Sequence, residues 1–287
     1  IIPAEYLRES PLRIGISTRA LFDLEEENDV FEREGVQAYI QMQLGREDKT
    51  LKKGAGFEVT KRLLELNVGG QAPFVEVILL SRNSPDLSLR AFKSIDHHGL
   101  SIKTGSFTSG RSLAPFVPAW NIDLFLSNMA DDVKGAVAAG AAAARLGVAP
   151  TDCHEDQTCE VRFAFDGDAV VFSAESDKIF KEEGLQAFYD HEIKNANTPM
   201  ARGPFGNFLH KLSALRQIYL DEKTNESRVR IALVTARNAP AHERVIRTLR
   251  AWGTPADEVH FVGKSSKGPI LKAFGAHIFF DDQEKHV

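Results

Sequence analysis

Cysteine is nearly absent. The two thiols in 287 residues, Cys153 and Cys159, flank His154, Glu155 and Asp156. Two cysteines cannot staple a chain of this size, and their spacing fits no standard zinc pattern, so they read as structural or incidental thiols rather than metal ligands. Long apolar runs are missing too. The most apolar stretch, residues 133–149, carries Lys134 and Arg145 and is too short and alanine-rich to span a bilayer. Residues 1–13 place Pro3, Glu5 and Glu9 where a signal peptide has a basic stretch and an apolar core, so a cytoplasmic protein without a membrane role is expected. Positive charge is not in excess either: 35 Lys and Arg against 40 Asp and Glu leave a net −5. That excludes a general attraction to nucleic acid polymers or anionic membranes, and any anion must be recognised locally.

What is present is enough apolar and charged residue, 43% and 26%, for an ordinary globular core, at a length that normally splits into two domains. An internal repeat supports that division. Sliding the chain by 149 places residues 13–66 on 162–215 without a gap, so that Phe31 meets Phe180, Gly35 meets Gly184 and Gly54 meets Gly203. Beyond that the shift is 154, so that Leu79 meets Leu233, Ser81 meets Thr235, Arg90 meets Arg244 and Pro115 meets Pro269. A five-residue insertion within 221–228 accounts for the change. Each half alternates short apolar runs with amphipathic stretches such as Phe208, Leu209, Leu212 and Leu215. The expected class is therefore α/β: two tandem Rossmann-like units from a duplication, with parallel sheets covered by helices. Between them, Asp131-Asp132 opens and Arg145 closes an expected alanine-rich helix, and the loop 148–160 is the expected boundary, giving domains 1–150 and 151–287.

Within the second half, Arg162 to Phe172 stands out. The apolar run Phe163 to Phe165 ends abruptly in Asp166-Gly167-Asp168. This reads either as an acidic hairpin turn or as a buried strand whose C-terminal tip, the ligand-binding end of an open parallel sheet, presents two acids. Three further pieces favour the second reading. Ile231 to Val234 ends in Thr235-Ala236-Arg237-Asn238; Lys267-Gly268-Pro269 precedes a helical stretch; and Ala276 to Phe280 ends in Asp281-Asp282.

This order of acid pair, hydroxyl, lysine and acid pair resembles the four motifs of the haloacid dehalogenase superfamily of phosphohydrolases. The flanking residues, Phe-Asp-Gly-Asp-Ala-Val, Leu-Val-Thr-Ala-Arg, Lys-Gly-Pro, His-Ile-Phe-Phe-Asp-Asp-Gln and Ser17 to Phe22, are similar to the cytosolic 5'-nucleotidase type I family over nearly the whole chain. The resemblance implies haloacid dehalogenase-like units and a phosphoric monoester hydrolase acting on nucleoside 5'-monophosphates such as AMP. It implies that Asp166 attacks phosphorus to form an aspartyl-phosphate, and that Asp168 protonates the ribose 5'-oxygen and then activates water. It further implies Mg2+ as cofactor, held by Asp166, Asp281 and the backbone carbonyl of Asp168, with Asp282 beside it. Thr235, Lys267 and the N–H groups of Gly167 and Asp168 would bind phosphoryl oxygens. Arg237 and Asn238 read equally as substrate contacts or as caps of the next helix. A base-stacking aromatic is sought at Phe205 or Phe208.

The first half has lost this set. Ser17 and Arg19 stand where Asp166 and Asp168 do, Ser81 for Thr235, Leu113 for Lys267 and Ser127-Asn128 for Asp281-Asp282. One active site per chain follows. Ser17, Arg19, Ser81, Arg82, Asn83 and Arg111 form a cluster of hydroxyls and guanidiniums that suggests a phosphate site for a nucleotide effector, or alternatively salt bridges that only maintain the scaffold. Because the motifs recognise phosphate and say little about the base, a sugar-phosphate phosphatase remains the alternative, as does a nucleotide-binding regulatory protein with residual activity. A homo-oligomer is left open.

Overall fold

A computed structural model describes residues 3–146, 159–254 and 256–281. The chain divides into two compact units, residues 8–158 and residues 159–287 together with 1–7. The expected boundary loop and the cluster around Cys153 lie almost entirely outside the described residues; Cys159 is exposed.

After α1 (Pro3–Glu9), most of which belongs to the second unit, the first unit runs β1 (Leu12–Ile16), α2 (Thr18–Leu21), β2 (Phe22–Asp23), α3 (Glu25–Gly45), β3 (Lys52–Lys53), α4 (Phe57–Leu64), β4 (Val75–Ser81), α5 (Ser88–His97), β5 (Thr104–Phe107), α6 (Phe116–Ala119), β6 (Leu124–Ser127), α7 (Ala130–Ala138) and β7 (Ala142–Arg145). Its parallel sheet has the order β5-β4-β1-β6-β7, while β2 and β3 form a separate antiparallel pair. The second unit runs β8 (Val161–Phe165), α8 (Glu175–Glu183), α9 (Leu185–Lys194), α10 (Gly206–Ile218), β9 (Val229–Thr235), α11 (His242–Trp252), β10 (Glu258–Phe261), α12 (Gly268–Phe274) and β11 (Ile278–Phe280). Its sheet order is β10-β9-β8-β11.

The two sheets repeat to the residue. Leu12 pairs with Val75 in one and Val161 with Val229 in the other; Ile14 with Leu124, and Phe163 with Ile278; Ile78 with Thr104, and Ala232 with Glu258. Each pair is offset by the same 149 and 154 residues found in the sequence. Continuous apolar runs such as Val-Ile-Leu-Leu in β4 are buried because helices cover both faces of a parallel sheet. Gly35 interrupts α3 with φ 84°, and Gly184 separates α8 from α9 with φ 89°, so the same left-handed break recurs in both units. The inserted residues form a turn between α10 and β9 closed by a bridge from Asp221 to Glu226.

The alanine-rich segment departs from expectation. Its helix ends at Ala138, Gly140 turns the chain at φ 93°, and Ala142–Arg145 becomes the edge strand β7 beside β6. The helical propensity of alanine is overridden because a glycine in the left-handed region breaks the helix and an unpaired edge of β6 supplies a ladder. In the second unit the core is aromatic. Phe163, Phe165, Phe205, Phe208 and Phe280 pack with ring centroids 4.8 to 6.5 Å apart. Phe208 is fully buried and Phe205 nearly so, which removes both as base-stacking surfaces: their rings are already spent on the core.

Candidate active site

Four backbone ends meet at the C-terminal edge of the second sheet. β8 delivers Asp166, β9 delivers Thr235 and β11 delivers Asp281, while Lys267 precedes α12. The backbone N–H of Asp166 donates to the Phe280 carbonyl at 2.8 Å, which ties the first acid to the strand carrying the last. Lys267 binds both acids: its Nζ lies 2.8 Å from Asp166 Oδ2 and 3.1 Å from Asp281 Oδ2. All three side chains are buried. Burial pushes the Asp166 carboxyl up to about 6, against the opposing pull of Lys267 and of the Gly167 N–H, which donates to its Oδ1 at 2.7 Å.

Glycine at 167 relieves crowding. A Cβ there would lie 3.0 Å from Thr235 Oγ1 and 3.2 Å from its Cβ, so the threonine can sit against the loop only if no side chain intervenes. Thr235 is almost fully buried, and its hydroxyl accepts from the Arg237 N–H at 3.2 Å. The loop turns back through Ala169, at φ 62°, and closes where the Phe172 N–H donates to the Gly167 carbonyl at 2.9 Å.

Asp168 is held by a partner the sequence did not reveal. The Arg237 guanidinium donates to both carboxylate oxygens, Nε to Oδ2 at 2.9 Å and Nη2 to Oδ1 at 2.6 Å. Its remaining nitrogen binds Glu192, whose carboxylate also accepts from Ser176 Oγ at 2.7 Å and Arg244 at 3.0 Å. Burial acts to raise the Glu192 pKa, but Arg237, Ser176 and Arg244 outweigh it and hold the group below the ordinary carboxylate range. Arg237 is therefore neither at an open substrate surface nor at a helix cap; its side chain is 1% exposed, inside a chain of alternating charge. Asn238 accepts from the Tyr189 hydroxyl at 2.7 Å, and α11 begins after Ala241 with no side-chain cap. Asp282 lies outside the described residues. Glu192 was not singled out from sequence; the available signal was its alignment with the neutral Gln43 in the repeat.

In the first unit the equivalent residues serve local structure. Ser17 accepts from the Ala20 N–H and caps α2. Arg19 donates to both oxygens of Glu25, at 2.9 and 3.0 Å, and to Asn28; Arg82 donates to Asp132 at 2.6 Å. Ser81 accepts from the Asn83 N–H, Asn83 from the Tyr39 hydroxyl, and Arg111 is exposed. Arg19 and Arg82 are thus matched by carboxylates of their own unit, while both stay partly exposed.

Among the described residues no group of three or more His, Cys, Asp and Glu side chains gathers as a metal cage. Asp166 and Asp281 nevertheless converge on one cation with hard oxygen donors. Mg2+ uses such a pair together with waters and substrate phosphate, so the residues fit a divalent cation of that kind.

The doubled parallel sheets, with acids, a threonine and a lysine gathered at the strand tips of one, define a protein of two tandem Rossmann-like α/β units, an arrangement consistent with haloacid dehalogenase-like units. A 5'-nucleotidase family model matches residues 4–287, and the chain belongs to that family. It is similar to human cytosolic 5'-nucleotidase 1B, with 32% identity over 287 residues covering 97% of this chain and 47% of that protein. The chain therefore spans about half the length of the curated relative it matches. No solved structure matches it significantly.

Proposed function

We propose that this chain hydrolyses nucleoside 5'-monophosphates to nucleoside and phosphate in a Mg2+-dependent reaction, in the cytosol, with the second unit catalytic and the first not. The observation that carries the proposal is the Lys267 ammonium between the buried Asp166 and Asp281 at the sheet edge, with Thr235 packed against the loop between Asp166 and Asp168. Family membership and the name of the human relative support the substrate class. No helix among the described residues is long and apolar enough to cross a membrane.

In this reading Asp166 attacks phosphorus as the bond to the ribose 5'-oxygen breaks, and Asp168 donates the proton that the departing oxygen takes up. Asp168, now ionised, accepts a proton from water as that water attacks the aspartyl-phosphate; phosphate leaves and both acids return to their starting states. Lys267, Thr235 and the N–H groups of the loop hold the phosphoryl oxygens. Asp166, Asp281 and the Asp168 carbonyl would hold Mg2+, which would supply charge neutralisation for the phosphoryl group.

A phosphate-release screen of nucleoside monophosphates and sugar phosphates, with and without Mg2+, tests this. Release from nucleoside monophosphates that EDTA abolishes is expected. Release from sugar phosphates alone overturns the nucleotidase reading while leaving the phosphatase chemistry in place.

A further inference from the structure

Comparison of the two repeats separates structural from functional members of the charge chain behind Asp168. Arg90 on α5 and Arg244 on α11 are equivalent, both buried, and both are matched by a buried carboxylate. The carboxylate, however, comes from different places. In the first unit it is Glu27, 2.8 Å from Arg90, with Gln43 opposite; in the second it is Glu192, the equivalent of Gln43, while Ser176 stands at the position of Glu27. Either position therefore satisfies the arginine that the two units share. Only the second lets the same carboxylate also bind Arg237, which clamps Asp168. The unit that has Arg19 in place of Asp168 also has Asn83 in place of Arg237.

We infer that Glu192 and Arg237 are positioning residues for Asp168: Glu192 stands on α9 rather than at position 176 so that it fixes the Arg237 guanidinium, which in turn holds the Asp168 side chain at the strand tip, with the lone pairs that Arg237 leaves free taking up the proton bound for the leaving oxygen. The inference rests on the proposed phosphatase reading. Arg237 forms no part of the phosphate-binding edge; it acts through the two parallel hydrogen bonds of a planar fork, whose orientation is set by the carboxylate on its far side.

The test is the double substitution Ser176→Glu with Glu192→Gln in the full chain. It copies the first unit's arrangement, keeps the net charge and leaves Arg244 a carboxylate, but replaces Arg237's charged far partner by a neutral amide, which holds the guanidinium less firmly. AMP and 4-nitrophenyl phosphate are compared in the presence of Mg2+, because nitrophenolate leaves without a proton donor. For AMP, kcat is expected to fall by about 10²-fold, the usual contribution of a placed general acid. KM and the pre-steady-state burst of nitrophenolate should stay within about twofold, as for a change that does not touch the step being read, in a variant that still melts in one cooperative transition. An equal loss in the AMP rate and in the nitrophenolate burst rate, or a wild-type rate on AMP, overturns the inference. A wild-type chain inactive on both substrates overturns the phosphatase reading and this inference with it. If the double variant does not fold, Arg237→Lys, which keeps the charge and loses the fork, gives the same division between substrates or overturns the inference by losing both equally.

Discussion

The two units of this chain share their strand register to the residue, yet only one presents acids at its strand tips. Leu12 pairs with Val75 as Val161 does with Val229, and the buried Arg90 and Arg244 sit at the same point. Ser17 ends β1 as a helix cap where Asp166 ends β8 as a buried carboxylate against a lysine. A parallel sheet with covered faces does not depend on what its strand tips carry, so the tips can lose their chemistry while the scaffold remains.

The sharpest break in the comparison is Asp166→Asn. It removes the proposed nucleophile at nearly constant volume and should lower kcat by about 10⁴-fold or more, as loss of a nucleophile does elsewhere. The first-unit counterpart Ser17→Asn should leave kcat within error. Near-normal turnover of Asp166→Asn in a coupled phosphate assay would end the assignment.

Lys267→Met comes next, since the equivalent Leu113 shows that the scaffold accepts an apolar residue there. Asp166 and Asp281 then face each other without a buried cation, and kcat should drop by about 10²–10³-fold, typical of losing one charged donor at a reacting oxygen. Differential scanning fluorimetry should show a larger rise in melting temperature on adding Mg2+ than in the parent, because added cation replaces the missing ammonium. An equal rise in both proteins would count against a shared site.

A pH effect should follow from Asp166 alone. Its folded pKa of about 6 lies above its unfolded value, so the neutral carboxyl is favoured in the fold. Its stabilising contribution is present below about pH 4, declines as pH rises, and is lost above about 6, a change of at most about 3 kcal/mol. Metal-free melting curves of the parent and Asp166→Asn should therefore diverge between pH 4 and 7, with the variant gaining. Parallel curves would show that the burial cost is relieved some other way.

The smallest expected effect is that of Gly167→Ala. Thr18, which is buried, occupies this position in the first unit, whereas in the second the added Cβ meets Thr235 Oγ1 at 3.0 Å. Crowding of this kind costs about 1–2 kcal/mol. It should lower the melting temperature by a few degrees and reduce kcat more than it changes KM. An Ala variant with the parent's melting point and kcat would mean that Thr235 is free to move.

Much of this architecture was legible before any coordinates. Strand tips are marked where an apolar run stops at a polar residue, as at Phe165-Asp166 and Val234-Thr235, and the gathering of those tips follows from a parallel sheet. The β7 strand was not legible, because Ala142 to Ala144 carry no period and their fate depended on an open edge beside β6. Nor was the burial of Phe205 and Phe208, whose spacing suits a core and an exposed binding face equally well.

By itself the sequence determined the duplication, the offsets of its two halves and the absence of the acid pairs from the first half, since all three reside in residue order and local apolar pattern. Only the tertiary structure decided which ion pairs form. Arg237 lies 69 residues from Asp168 and 45 from Glu192, and nothing local to any of the three specifies the others. Coulomb attraction is indifferent to chain order, so the choice among many arginines and carboxylates is made by packing, which buries Arg237 and Glu192 almost completely and leaves the Asp168 carboxylate partly exposed at the strand tip.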